Sequence, residues 1–157
     1  MRRRSSNKQT RRRATTLVEM AVVLPVFFLF TFALMEFSHA YMVVSMMDAA
    51  TKRAARYGIA EGVSTTQVES KVKAILGKAM KTTNVTVQVK DAGVFDGTSV
   101  NPGSINYGSL PAIDLSKTES RHLFIVRAQV AYKDVALIPP FWIKNATLSG
   151  QSVMRHE

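Results

Sequence analysis

Residues 20–35 read MAVVLPVFFLFTFALM, and this stretch decides how the whole chain is organised. None of these residues is charged, and nearly all of them are apolar. A helix needs about 20 mostly apolar residues to cross a hydrocarbon core that is about 30 Å thick. Extended back to Thr15, the stretch reaches that length and includes one charge, Glu19. The sequence therefore predicts a single membrane span at about residues 16–36.

Two features of this stretch were weighed against the membrane interpretation. Pro25 removes an internal hydrogen bond and predicts a kink, but membrane helices tolerate such prolines. A basic region followed by an apolar run is also typical of a secretory signal peptide. The run is longer than the 7–15 residues usual in signal peptides, and residues 36–41 continue its helical character. A retained helix is therefore favoured over a cleaved signal, and residues apolar on all sides disfavour a soluble core helix.

The net charge of +10 is concentrated at the N-terminus. Residues 1–13 hold seven of the 21 basic residues and none of the 11 acidic ones, which leaves +3 for the rest. Because basic flanks stay in the cytoplasm, Arg11, Arg12 and Arg13 predict a topology with the N-terminus inside and the C-terminus outside. The same topological role explains the basic arm without nucleic acid, so no nucleic-acid partner is predicted.

Glu19 is the one acid within the apolar segment, and such a charge is a functional-site hypothesis by default. If the chain were cut after Ala14, Thr15 would be its first residue and Glu19 its fifth. The helix dipole favours a carboxylate in that position. In an assembly, the carboxylate would neutralise the α-amine of a neighbouring subunit inside an apolar bundle. The alternative is an interfacial acid solvated by lipid headgroups, and the spacing alone does not decide between the two.

The run RRRATTLVEMAVVLPVFFLF at residues 11–30 resembles a class III (type IVb) prepilin signal. More closely, it resembles the start of TadE-type and TadG-type proteins of the tight-adherence (Flp) pilus system, and the resemblance extends over residues 11–57. It implies that a prepilin peptidase cuts between Ala14 and Thr15 and that Glu19 acts in assembly. This chain has Ala14 where the family most often has Gly, and Thr15 where Phe or Met is usual.

The resemblance also implies the partners and the location of the protein. The partners are the prepilin peptidase, other pilin-like subunits, the membrane platform of the pilus machinery and the lipid bilayer. The protein is expected in the bacterial cytoplasmic (inner) membrane as a single-pass protein, or in an extracellular pilus after processing. Residues 1–14 form the expected cytoplasmic leader, and residues 58–157 the extracytoplasmic domain.

The helical pattern continues beyond the span to about Tyr57, and Gly58 predicts its end. A helix over residues 15–57 is about 65 Å long, of which a bilayer covers only about 30 Å. Its outer half carries a stripe of small or apolar residues, and we expect that stripe to pack either on the chain's own domain or on neighbouring subunits. The stripe consists of Ala40, Val44, Met47, Thr51 and Ala54.

The remaining residues predict a small α+β domain of pilin-like architecture, with one helix on about three antiparallel strands. Ser64–Gln67 form a capping box for a helix to about Met80. Alternating apolar residues predict strands at residues 84–90, 122–133 and 145–155. The stretch 93–120 is rich in Gly, Ser, Asn and Pro and predicts a long loop.

An apolar cluster follows the second predicted strand and surrounds a double proline. It comprises Leu137, Ile138, Phe141 and Trp142. Such a cluster is either a docking patch or a loop folded over the edge of the sheet.

The functional hypothesis that joins these features is a pilin-like assembly component, a pseudopilin or minor pilin, and not an enzyme. The chain has no cysteine, and its three histidines show no ligand-like spacing, so no metal or cofactor is predicted. No phosphate-binding loop or nucleophile motif is present. The alternative hypothesis is a signal-anchored periplasmic binding domain that does not polymerise.

Overall fold

The structure is a computed structural model that describes the backbone of residues 5–97 and 101–157. Side chains are described for residues 15–97, 101 and 103–157. The chain divides into two compact units, Met1–Ser38 and His39–Glu157. The first helix, α1, spans Ser5–Tyr57 and contributes residues to both units.

α1 begins at Ser5, ten residues before Thr15, where the sequence predicted its start. The basic arm is rich in Arg, Lys and Gln, which have high helix propensity, and no Gly or Pro interrupts it. Pro25 lies within the helix and does not end it. The helix ends at Tyr57, where the amide of Gly58 still donates to the Ala54 carbonyl at 3.0 Å.

The second unit contains the remaining helices and strands in one short succession. They are α2 (Thr65–Leu76), β1 (Thr86–Asp91), β2 (Leu123–Ala131), α3 (Tyr132–Val135) and β3 (Thr147–Arg155). The three strands form one antiparallel sheet in the order β1-β2-β3. The predicted α+β fold, with a long apolar N-terminal helix before one helix and three antiparallel strands, is therefore confirmed.

The capping box predicted for α2 is present. The Ser64 hydroxyl accepts from the Gln67 amide at 3.3 Å, and the Gln67 side chain accepts from the Ser64 amide at 2.9 Å. The helix ends at Leu76 rather than near Met80, because Gly77 follows and its amide closes the last turn on the Lys73 carbonyl at 2.8 Å. Glycine has the lowest helix propensity after proline, so the break falls there.

The core of the second unit joins the outer part of α1, α2 and one face of the sheet. Met47, Thr51 and Ala54 of the predicted stripe are each 0% exposed. They pack with Val68, Val72 and Leu76 of α2 and with Phe124, Val126, Ala128 and Val130 of β2. Of the two partners considered for this stripe, the chain's own domain is therefore the one it buries against. The Thr51 hydroxyl donates to the Met47 carbonyl at 2.9 Å, so its burial leaves no donor unsatisfied.

The stretch predicted as a long loop covers part of the opposite face of the sheet. It carries four 3-10 turns at Gly93–Asp96, Pro102–Ser104, Tyr107–Ser109 and Leu115–Lys117. Leu110 is buried with Ala92 and with Ile125, the β2 residue that points away from the main core. An antiparallel bridge between Lys90 and Ala112 ties the loop to the edge of β1. The loop is thus a second layer over the sheet.

Candidate functional site

The apolar part of α1 in the first unit exposes almost all of its large side chains. More than half of the surface of Leu17, Phe28 and Leu34 is exposed, for example. Among the described residues, Thr15–Tyr57 is the one helical stretch long and apolar enough to cross a membrane, and its most apolar window is 0% buried. A continuous exposed apolar surface of this kind marks a contact with lipid or with other protein chains.

This apolar segment satisfies its own polar groups, as a segment in lipid must. The Thr31 hydroxyl donates to the Phe27 carbonyl at 2.8 Å, one helical turn earlier. The hydroxyl therefore needs no water or partner chain, and the outer surface of the segment stays apolar.

Glu19 is exposed on this segment, in the predicted first turns of a processed chain. Its carboxylate lies on an otherwise apolar surface, where it can accept hydrogen bonds or neutralise a cation brought by another molecule. The side chains of Arg11, Arg12, Arg13 and Ala14 lie outside the described residues. The backbone on both sides of the Ala14–Thr15 bond is helical, since both residues lie inside α1.

The architecture defines a class of protein in which a helix with the length and composition of a membrane anchor continues into the core of a small α+β domain. Within that class, residues 14–56 match the family model described as TadE-like protein, and the N-terminal segment is TadE-like. The predicted resemblance is thereby confirmed, consistent with a TadE/TadG-like protein of the Tad pilus system. The comparison with curated proteins gave no match. The comparison with solved structures gave none either.

The end of the domain where α1 enters it has a distinct polar contact. His39, the first residue of the second unit, places its Nδ1 atom 3.3 Å from the Tyr132 hydroxyl. The two rings also lie close, with centroids 5.8 Å apart. A groove of about 430 Å³ begins at His39 and is lined mainly by apolar side chains, with Asp134 and Lys81 among its polar residues. Sequence reasoning placed His39 near the membrane boundary but missed Tyr132 as its partner.

The predicted apolar cluster lies on the segment between α3 and β3. Leu137 is 81% exposed and Phe141 is 68% exposed. Side chains that fold over the edge of a sheet would be shielded, so this exposure favours the docking-patch interpretation.

Two further ion pairs lie at the opposite end of the strands. His122 Nε2 lies 3.0 Å from an oxygen of Asp91, and Arg155 contacts Asp96 at 2.6 Å. They connect β2 and β3 to the end of β1 and the turn after it, and all four side chains are partly exposed. Within the part of the chain that the structure describes, no group of three or more His, Cys, Asp or Glu residues is placed to hold a metal ion.

Proposed function

We propose that this protein is a pilin-like component of a Flp-type (Tad) pilus or a related secretion apparatus, with a structural rather than a catalytic role. The observation that carries the proposal is the TadE-like match over residues 14–56 on a helix whose apolar part is exposed. The match begins at Ala14, the residue before the predicted processing point. The basic leader would hold the precursor with its N-terminus in the cytoplasm, and residues 16–36 would cross the inner membrane.

Processing is the first proposed step. A prepilin peptidase would remove residues 1–14 and leave Thr15 with a free α-amine. Because Ala14 and Thr15 lie inside a continuous helix, the peptidase would have to open the helix locally to reach the bond. Terminal turns of a helix open most easily, so the leader end of α1 is a plausible place for such opening.

Assembly is the second proposed step. The mature helices would leave the bilayer side by side, with the pilus machinery as platform and other pilin-like subunits as neighbours. An α-amine moved into an apolar bundle is costly unless it is paired. Glu19 on a neighbouring helix would supply the opposite charge. The α+β domain would remain outside as the part of the subunit built around the outer half of α1.

The test of processing is mass spectrometry of the N-terminus of the protein made in cells with the pilus system. We expect a chain that starts at Thr15. Replacement of the small residue before the cut, Ala14→Leu, should leave the precursor intact, whereas the matched change Ala21→Leu should not. A mature chain that starts at Met1, or after about residue 40, would contradict the processing proposal.

The test of assembly is the incorporation of Glu19→Ala into the pilus or its assembly complex. We expect the processed variant to remain in the membrane fraction without incorporation. The control is Glu61→Ala, which removes an exposed acid from the turn after α1. Normal incorporation of Glu19→Ala would instead favour the signal-anchored periplasmic binding domain, since a plain anchor gains from losing a membrane charge.

A further inference from the structure

The segment at residues 136–146, between α3 and β3, carries the most exposed large apolar side chains of the second unit. We name it the Trp142 loop. Besides Leu137 and Phe141, it exposes Ile138 to 55% and Trp142 to 40%. The Phe141 and Trp142 rings are in edge-to-face contact with their centroids 4.8 Å apart. Clustered, exposed apolar side chains of this size mark a binding surface.

The base of the Trp142 loop is fixed to the end of the domain where α1 enters it. The loop follows α3, whose Tyr132 hydroxyl contacts His39 at 3.3 Å, and Leu137 lines the same groove as His39. His39 is three residues beyond Glu36, the predicted end of the membrane span. Three helical residues rise by about 5 Å. Chain connectivity therefore keeps His39, and the loop base that contacts it, within a short distance of the bilayer surface.

The chemistry of the Trp142 loop fits the interface between lipid and water. Tryptophan is enriched at this depth because its ring is apolar while its N–H seeks a polar partner. Lys144 places its ammonium group 6.0 Å from the centre of the Phe141 ring. Lys133 of α3 adds a second exposed positive charge beside one acid, Asp134. Ammonium groups next to apolar side chains are attracted to anionic lipid headgroups.

The helix side of this end has a matching residue. Tyr41 lies two residues beyond His39 and is 78% exposed. Tyrosine shares the interfacial preference of tryptophan. The exit point of the chain is thus followed by interfacial residues on both α1 and the Trp142 loop.

We propose that the Trp142 loop is a second membrane contact, which inserts its apolar side chains into the headgroup region of the outer leaflet from which α1 emerges. This inference rests on the proposed membrane anchoring of residues 16–36. It gives the domain a docked state on the bilayer, and a subunit that leaves the membrane for an assembly must release this contact as well as its span.

The experiment uses the only tryptophan of the chain as its own reporter. The full-length protein is reconstituted into phosphatidylethanolamine–phosphatidylglycerol vesicles whose acyl chains carry bromine at a shallow or a deep position. We expect shallow bromines to quench Trp142 emission more than deep ones, and vesicles to protect it from aqueous acrylamide. Full acrylamide quenching without any bromine quenching would overturn the proposal. Shielded emission that ignores bromine and rises with the protein-to-lipid ratio would overturn it too, and would assign the loop to a second copy.

Matched variants separate the loop from the rest of the domain. Leu137→Ser and Phe141→Ser should each reduce bromine quenching of Trp142. Val94→Ser should leave it unchanged, because Val94 is 51% exposed but lies in the turn after β1, whose last residue pairs near the start of β2. Unchanged quenching in both loop variants would contradict the proposal.

Flotation of the vesicles distinguishes this proposal from the anchoring on which it rests. If residues 16–36 did not anchor the chain, the protein would not float with the lipid. A protein that floats while Trp142 stays exposed to water would keep the anchor and reject the loop contact alone.

Discussion

Gly150 of β3 lies so close to Met47 of α1 that a β-carbon at residue 150 would sit 2.6 Å from the Met47 carbonyl carbon. The same β-carbon would lie 2.6 Å from the Asp48 amide nitrogen, so both collisions are with backbone. Across the sheet, Gly150 pairs with the small residue Ala128. The next residue, Gln151, donates its amide to the Asp48 carboxylate at 3.1 Å. The outer half of α1 therefore sits on the sheet at a distance that only glycine permits.

Gly150→Ala should consequently lower the free energy of unfolding of the domain by at least about 2 kcal/mol, because overpacking against backbone cannot be relieved by a rotamer change. Denaturant unfolding of the full chain in detergent, followed by circular dichroism, measures this. Gly108→Ala is the matched control, since a β-carbon there meets only the Asn106 side chain, at 3.3 Å. The control should change stability by less than about 0.5 kcal/mol. Equal stability of the two variants would contradict the close approach.

The sequence predicted the elements whose signals are local. The apolar run at residues 20–35, the capping box at Ser64 and the alternation in β2 each predict their structure from neighbouring residues. The approach of Gly150 to Met47 joins residues about 100 positions apart, and no local pattern encodes such a pair. The same holds for Ile125, which is 1% exposed because the loop over residues 93–120 covers it.

The candidate site divides in the same way. Glu19 was found because its spacing from a possible processing point is a property of the sequence. The exposure of the Trp142 loop and the contact between His39 and Tyr132 depend on where α3 follows β2 in the folded domain. The start of α1 was predicted too late because the prediction treated the basic arm as a leader, although its residues favour a helix.

The capping box of α2 gives a prediction about helix termini. Ser64→Ala removes the acceptor for the Gln67 amide and should cost about 1 kcal/mol of stability. Ser70→Ala is the control, because Ser70 is exposed within α2 and alanine has the higher helix propensity. We expect the control to be neutral or slightly stabilising in the same denaturant measurement. A loss in Ser70→Ala as large as that in Ser64→Ala would show that the cap is not the cause.

Thr65 gives a prediction about the loop that covers the second face of the sheet. Its hydroxyl donates to the Ile113 carbonyl at 2.8 Å and accepts from the Leu115 amide at 3.2 Å. Thr65→Val removes both bonds and leaves two backbone groups without their partner, at about 1–3 kcal/mol for each buried group. We expect faster hydrogen exchange at Leu115 and faster proteolysis within residues 101–120. Thr83→Val, at an exposed turn residue, should change neither rate.

Asp114 gives a prediction about pH. Its pKa is lowered from the usual aspartate value, first by the hydrogen bond from the Ser116 hydroxyl and then, among smaller causes, by the nearby Lys117. A lowered pKa in the folded state contributes stability above the unfolded pKa, and that contribution is lost as the pH falls through the folded pKa.

NMR titration of the Ser116 amide should therefore show a midpoint below that of an ordinary aspartate. Ser116→Ala should move the Asp114 midpoint upward, because it removes the first cause of the shift. Ser120→Ala, an exposed change nearby, should leave the midpoint in place. An Asp114 midpoint that does not respond to Ser116→Ala would contradict the assigned cause.

Membrane orientation gives the last prediction, and the absence of cysteine from the chain makes it clean to measure. In cells without the prepilin peptidase, Ser109→Cys should react with a membrane-impermeant maleimide from outside, and Ser6→Cys only after permeabilisation. Replacing Arg11, Arg12 and Arg13 by Gln should lower the fraction of chains with this orientation, because it removes positive charge from the cytoplasmic flank. The same number of Gln replacements at Lys52, Arg53 and Arg56, on the far side of the span, should leave it unchanged. Labelling of Ser6→Cys from outside in the otherwise unchanged chain would reverse the predicted topology, and with it the side on which the domain and the Trp142 loop are expected.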